Sequence, residues 1–266
     1  MRSRFLNEFL YQVFSLIVAV IAVHAVYVTT IRPRARDIIA EQVVRIAQDV
    51  NYTPERTIWV LIRDFEQEAC LILALWAFAI MAYKAFVAIR ERSLLQRELL
   101  HVREGVRILP EDTREYSRVL QSLPERLRRM FLPRVLLASL ERFGSTKNVQ
   151  DVSSVTNSMC DAENERLESE LSMIRYIAWA IPSIGFIGTV RGIGAALGEA
   201  HKAVEGDISG VTENLGIAFN STFVALMISI VVMFLVHQLQ LLQERLVFDT
   251  QTYVDHNLIR HMQARD

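Results

Sequence analysis

Acid is what the apolar part of this sequence lacks. Four long apolar runs, at about 9–31, 69–89, 177–197 and 215–239, contain no Asp or Glu. A protein that moves protons alone usually carries an intramembrane carboxylate to titrate. If this chain conducts protons, another component has to bring the acid. Cysteine is scarce too: only Cys70 and Cys160 occur, which excludes a disulfide framework. One is expected at the outer end of the second apolar run, the other in the cytoplasm. Net charge is −1, so nothing global attracts nucleic acid. His-Glu-x-x-His, Gly-x-Ser-x-Gly and a phosphate-binding loop are all missing. The reading is therefore no enzyme, no cofactor and no metal site.

What is present is apolar length. Hydrophobic residues make up 52% of the 266-residue chain, and each of the four runs can cross about 30 Å of hydrocarbon. The spacing predicts an all-α membrane protein with four transmembrane helices and a helical cytoplasmic domain between the second and third. The expected divisions are a first helix over 1–31, a periplasmic helical connection over 32–68 and a second helix over 69–90. The cytoplasmic domain follows over 91–176, a transmembrane hairpin over 177–240 and a cytoplasmic C-terminal helix over 241–266. The first run continues past a passable cleavage site at Val23-His24-Ala25, so it is read as retained. His24 is read as an interior or interfacial histidine, with a proton relay as the alternative.

Charges set the orientation. Arg90, Arg92 and Arg97 favour a cytoplasmic large loop, and the 199–213 connection has one lysine against four acids. Both termini are then cytoplasmic, although Arg32, Arg34 and Arg36 fall outside. Thr53-Pro54-Glu55 reads as the start of a helix running unbroken through Trp59 into the second run. Lys84 is expected to snorkel. Leu95, Leu99, Val102, Val106 and Leu109 continue the helical period out of the membrane. Pro110, Pro124 and Pro133 mark further helix starts. Residues 148–175 lack Gly and Pro and should feed straight into the third run. Arg126, Arg128 and Arg129 could face solvent, headgroups or a partner.

The third run is unusual. Between Trp179 and Gly198 lie five of the chain's ten glycines, although each costs roughly 1 kcal/mol against alanine in a helix. In a membrane such residues let helices approach closely. Gly188 and Gly192 form one small-xxx-small pair, Gly194 and Gly198 another. Gly185, Thr189, Gly192 and Ala196 share a stripe. Pro182 frees the carbonyl of Ala178 and is expected to kink the helix. The fourth run carries Asn220, Ser221 and Thr222 inside it, and Ala218, Thr222, Ala225 and Ser229 share a face. These hydroxyl-bearing stripes suit either helix packing or a lined pore. Arg191, the one charge in the third run, suits snorkelling, a positive gate, or a partner for an acid on another chain.

Pro182-Ser-Ile-Gly-Phe-Ile-Gly-Thr-Val-Arg-Gly-Ile resembles the third-span signature of the MotA/TolQ/ExbB proton-channel family. Ala218-Phe-Asn-Ser-Thr-Phe-Val-Ala-Leu is similar to the paired motif on the next helix. The resemblance covers about 175–240. It implies a homopentamer around a dimer of a single-span partner that carries the essential aspartate, in a bacterial inner membrane. On that pattern Thr189 and Thr222 face the partner's acid, and Asn220, Ser221 and Ser229 extend the ion pathway. Arg191 stands where many members have tryptophan, and Ile217 where a glutamate is usual. A sodium-driven stator subunit and a non-conducting tetraspan scaffold are the alternatives to a proton-conducting motor subunit.

Overall fold

A computed structural model describes residues 2–48, 52, 57–97, 99–100 and 106–263. The helices are α1 (Arg2–Val26), α2 (Arg32–Gln48), α3 (Ile58–Leu61), α4 (Phe65–Arg92), α5 (Thr113–Gln121), α6 (Glu125–Arg128), α7 (Phe131–Thr146), α8 (Val149–Gly198), α9 (Ala200–Val204) and α10 (Ser209–Asn257). Among the described residues, four helical stretches are long and apolar enough to cross a membrane. They contain the four expected runs, and the chain is a multi-pass membrane protein. Contacts divide it into two units, Met1–Ala82 with Met173–Val236 and Tyr83–Ser172 with His237–Asp266.

In the first unit, α1 passes through a wide π turn at Tyr27–Ile31 into α2 without a break. Pro33 explains the turn. It has no N–H and crowds the carbonyl of Thr29, four residues back, and a widened turn absorbs that clash. The first half of the expected 32–68 connection is thus a continuation of the first span. Trp76 Nε1 donates to Gln12 O at 2.9 Å and Tyr11 Oη to Ala79 O at 3.1 Å, which ties α1 to α4. Outward positions such as Phe14, Ile21, Phe186 and Phe234 are exposed, as lipid-facing side chains would be.

The helix expected to run from Thr53 into the second span breaks. The Thr53-Pro54-Glu55 start lies outside the described residues, but α3 stops at Leu61 and α4 begins only at Phe65. Asp64 supplies the reason. It precedes the first turn of α4, its carbonyl accepts from Glu68 N at 3.2 Å, and Gln67 follows it by three. Asp-x-x-Gln before an apolar run is a helix-start pattern. The positive charges on this side are absorbed locally. Arg32 lies over the Phe65 ring at 4.4 Å and Arg34 over Trp59 at 4.7 Å.

In the second unit, α4 ends at Arg92 rather than continuing its period through Leu109. Turns take over at 93–97, and Val102 lies outside the described residues. Leu94 and Leu100 turn inward to a core with Leu120, Leu136, Leu140, Phe143, Val152 and Val254. Ile108 belongs to the same core, and its backbone pairs with the C-terminal segment, donating to His261 O at 2.7 Å and accepting from Gln263 N at 3.1 Å. Pro110 precedes α5 by three residues, Pro124 caps α6, and Pro133 sits in the first turn of α7, where its missing N–H costs nothing. α10 runs unbroken from the fourth apolar run into the tail, whose Val247, Val254 and Leu258 join the same core. Lys84 does not snorkel. It is 5% exposed, with Nζ 2.9 Å from Glu170 Oε2. Arg126, Arg128 and Arg129 are exposed on α6; Arg129 pairs with Glu125 and Arg128 donates to Gln121 O. Cys70 and Cys160 are free thiols, both buried.

Candidate functional site

The site is the seam between α8 and α10. It exists because three glycines remove the side chains that would hold the helices apart. A Cβ on Gly185 would stand 2.4 Å from Ala225 Cβ, one on Gly188 2.5 Å from Ser221 Cβ, and one on Gly192 2.8 Å from Ala218 Cβ. Gly194 and Gly198 do not share this role, since nothing lies within 4 Å of a Cβ placed there. Gly194 is two residues past Gly192 and so about 200° around the helix.

Two hydroxyls meet inside the seam. Thr189 Oγ1 and Thr222 Oγ1 are hydrogen-bonded to each other. Thr189 Oγ1 also lies 3.0 Å from Ala218 O, and Thr222 Oγ1 3.1 Å from Gly185 O. Each hydroxyl has one proton. Either Thr189 donates to Thr222 and Thr222 to Gly185, or Thr222 donates to Thr189 and Thr189 to Ala218. The pair therefore has two forms of opposite polarity, which is what a proton relay needs.

The remaining candidates surround this pair. Ser229 Oγ donates to Ala178 O at 3.2 Å, the carbonyl that Pro182 sets free. Ser221 is buried, donates to Ile217 O at 2.9 Å and accepts from Gln67 Nε2 at 3.4 Å, so it faces α4. Asn220 and Thr222 line a groove of about 530 Å³ with Leu61, Phe219, Phe223 and Leu226. Arg191 has an acid within its own chain. Its Nε and Nη2 donate to Glu66 Oε1 and Oε2 at 2.6 and 2.9 Å, a two-pronged pair from α8 to α4.

Glu66 and its neighbour Glu68 are the residues that sequence reasoning missed. Both lie in the first turn of α4, where the helix dipole favours acids, and both are buried at 9% and 6% exposure. Glu68 binds two partners: His24 Nδ1 at 2.6 Å and Arg32 Nη2 at 2.5 Å. Arg63 joins Glu213 at 2.9 Å. Ion pairs thus link α4 to α1, α2 and α8, and the turn before it to α10. Asp64, outside the span, is held above the usual carboxylate range by burial, despite Arg63 beside it. Among the described residues no group of His, Cys, Asp and Glu could hold a metal.

Residues 128–252 match the sequence model of the MotA/TolQ/ExbB proton channel family. This segment is a MotA/TolQ/ExbB-family domain. It contains all of the seam just described, together with α7 and most of α10. No curated protein and no solved structure was found to match the chain. Members of the family are channels and energy transducers, and the match supports a general ion-channel role in energy transduction.

Proposed function

We propose that this chain is the proton-conducting subunit of an ion-driven rotary or energy-transducing complex in a bacterial inner membrane. Five copies surround a dimer of a single-span partner that supplies the essential aspartate. The observation that carries the reading is the Thr189–Thr222 hydroxyl pair, half-buried in a glycine-built seam within the family segment. Thr hydroxyls relay protons but do not titrate near neutral pH. The four apolar runs hold no acid, so the titrating group has to come from elsewhere. Each proton crossing supplies about 2.3 kcal/mol per 100 mV to the motion.

The test is proton flux in vesicles holding the complex purified with its single-span partner. A membrane potential is expected to drive acidification or alkalinisation that Thr222→Val abolishes without dispersing the complex. Equal flux in that variant removes the hydroxyl pair from the pathway. Flux that follows sodium and ignores pH replaces the proton with sodium, and no flux in the unaltered complex leaves the scaffold reading.

A further inference from the structure

Three polar atoms near the start of α4 have no partner. Tyr27 and Gln67 are 0% exposed, and Tyr27 Oη, Gln67 Oε1 and Asp64 Oδ2 are buried without a hydrogen bond among the described residues. Buried polar atoms in native proteins are almost always paired, with ordered water when protein offers nothing. These three belong to one neighbourhood. Tyr27 lies within electrostatic reach of Glu68, Arg32 and Asp64, and Asp64 within reach of Glu66 and Arg191. Gln67 donates through Nε2 to Leu61 O at 3.2 Å and to Ser221 Oγ at 3.4 Å. Ser221 adjoins Thr222 in the chain and packs over Gly188. At the other edge stands His24. Its side chain is 58% exposed, while that of Glu68, 2.6 Å away, is 8% exposed.

We propose that these groups form a hydrated proton inlet inside each subunit, running from His24 and Glu68 through water held by Tyr27, Asp64 and Gln67 to Ser221 and the threonine pair. A half-exposed imidazole bonded to a buried carboxylate is the geometry of a proton collector. Protonated His24 passes its Nδ1 proton to Glu68 Oε1, which leaves a neutral imidazole and a carboxylic acid. The acid releases the proton to the enclosed water and becomes a carboxylate again, and His24 is reprotonated from solvent. Arg32, 2.5 Å from Oε2, fixes the carboxylate so that Oε1 faces His24. The charged and titratable groups around this route are Arg32 and Tyr27 on the first helical stretch, Arg63 and Asp64 before α4, Glu66 and Glu68 in it, Arg191 on α8 and Glu213 on α10. The inlet rests on the proton-conducting reading above.

Flux through the complex, purified with its single-span partner, is measured in vesicles of phosphatidylethanolamine and phosphatidylglycerol between pH 5 and 8. His24→Gln keeps a hydrogen bond to Glu68 but cannot carry a proton. It is expected to lower flux at least tenfold, a small effect for a proton-transfer group, and imidazole in the bulk solution is expected to restore it. Gln67→Leu is expected to lower flux without such rescue, because it displaces the water. A complex that disperses on gel filtration is replaced by Gln67→Met, which keeps the volume. Wild-type flux in His24→Gln, a loss that imidazole leaves unchanged, or wild-type flux in both Gln67 variants overturns the inlet alone. No flux in the unaltered complex overturns the proposed function, and the inlet with it.

Discussion

Ser229 answers a carbonyl that a proline sets free. Pro182 has no N–H to give Ala178, and the Ser229 hydroxyl on the facing helix takes its place at 3.2 Å. Interhelical bonds of this kind are worth about 0.6–2 kcal/mol. Ser229→Ala is expected to lower the complex's thermal stability by about that amount, and an unchanged melting curve would remove the bond from the account. Arg191 is a larger matter. Its side chain is half exposed, but Glu66 is nine-tenths buried and takes its two-pronged hydrogen bonds from that partner. Removing one member of a buried pair costs about 3–5 kcal/mol, less here because the arginine is only half buried. Arg191→Met is therefore expected to destabilise strongly, and Arg191→Met with Glu66→Gln to recover most of the loss. A double variant as unstable as the single would show that Glu66 is not the reason. Cys160, at 2% exposure, has its thiol pushed up to about 11 by burial, with Asp161 and Glu163 adding to it. Reactivity needs thiolate and access. A maleimide at pH 7.5 is expected to leave Cys160 unlabelled in the folded protein and to label it after denaturation.

At the scale of the helix, spacing does most of the specification. Gly188→Leu puts a side chain where a Cβ alone would stand 2.5 Å from Ser221 Cβ and 3.0 Å from Glu66 Cγ. Overpacking of this size costs about 1–3 kcal/mol or more, and here the obstruction includes a neighbouring helix. The variant is expected to lose the assembled complex on native mass spectrometry, while Gly194→Ala, with open space around it, keeps the chain's fold. A normal oligomer from Gly188→Leu would count against the seam. The four long helices and the glycine stripe of α8 were legible in the sequence, because apolar length and a three-and-four spacing are local signals. The ends were not. α4 stops at Arg92 because Leu94 and Leu100 are drawn into a core shared with Val247 and Val254, more than a hundred residues away. The break at 62–64 follows from Asp64 and Gln67, whose pattern was readable but outweighed by the apolar run beginning at residue 69. Glu66 and Glu68 were passed over for a related reason. They precede that run, so nothing in the chain's order marks them as buried until α8 and α2 bring Arg191 and Arg32 to them.

At the scale of the whole molecule, two facts bear on the proposed assembly. The hydroxyl pair can pass a proton but cannot hold one near neutral pH, so a titrating acid has to reach it. The second is Gly194 and Gly198, which pack against nothing among the described residues although glycine is costly in a helix. In the proposed pentamer a neighbouring subunit would give them a reason, since close approach is what small residues allow in a membrane. Mixing the full chain with its single-span partner and weighing the intact complex by native mass spectrometry is expected to give five copies to two. That count would place two acid-bearing helices within a ring of identical seams, each presenting the same two threonines in turn. A different count that still includes the partner keeps the acid and removes the fivefold ring. A lone monomer, or an oligomer with no partner, removes the source of the acid and returns Thr189 and Thr222 to the packing of α8 against α10.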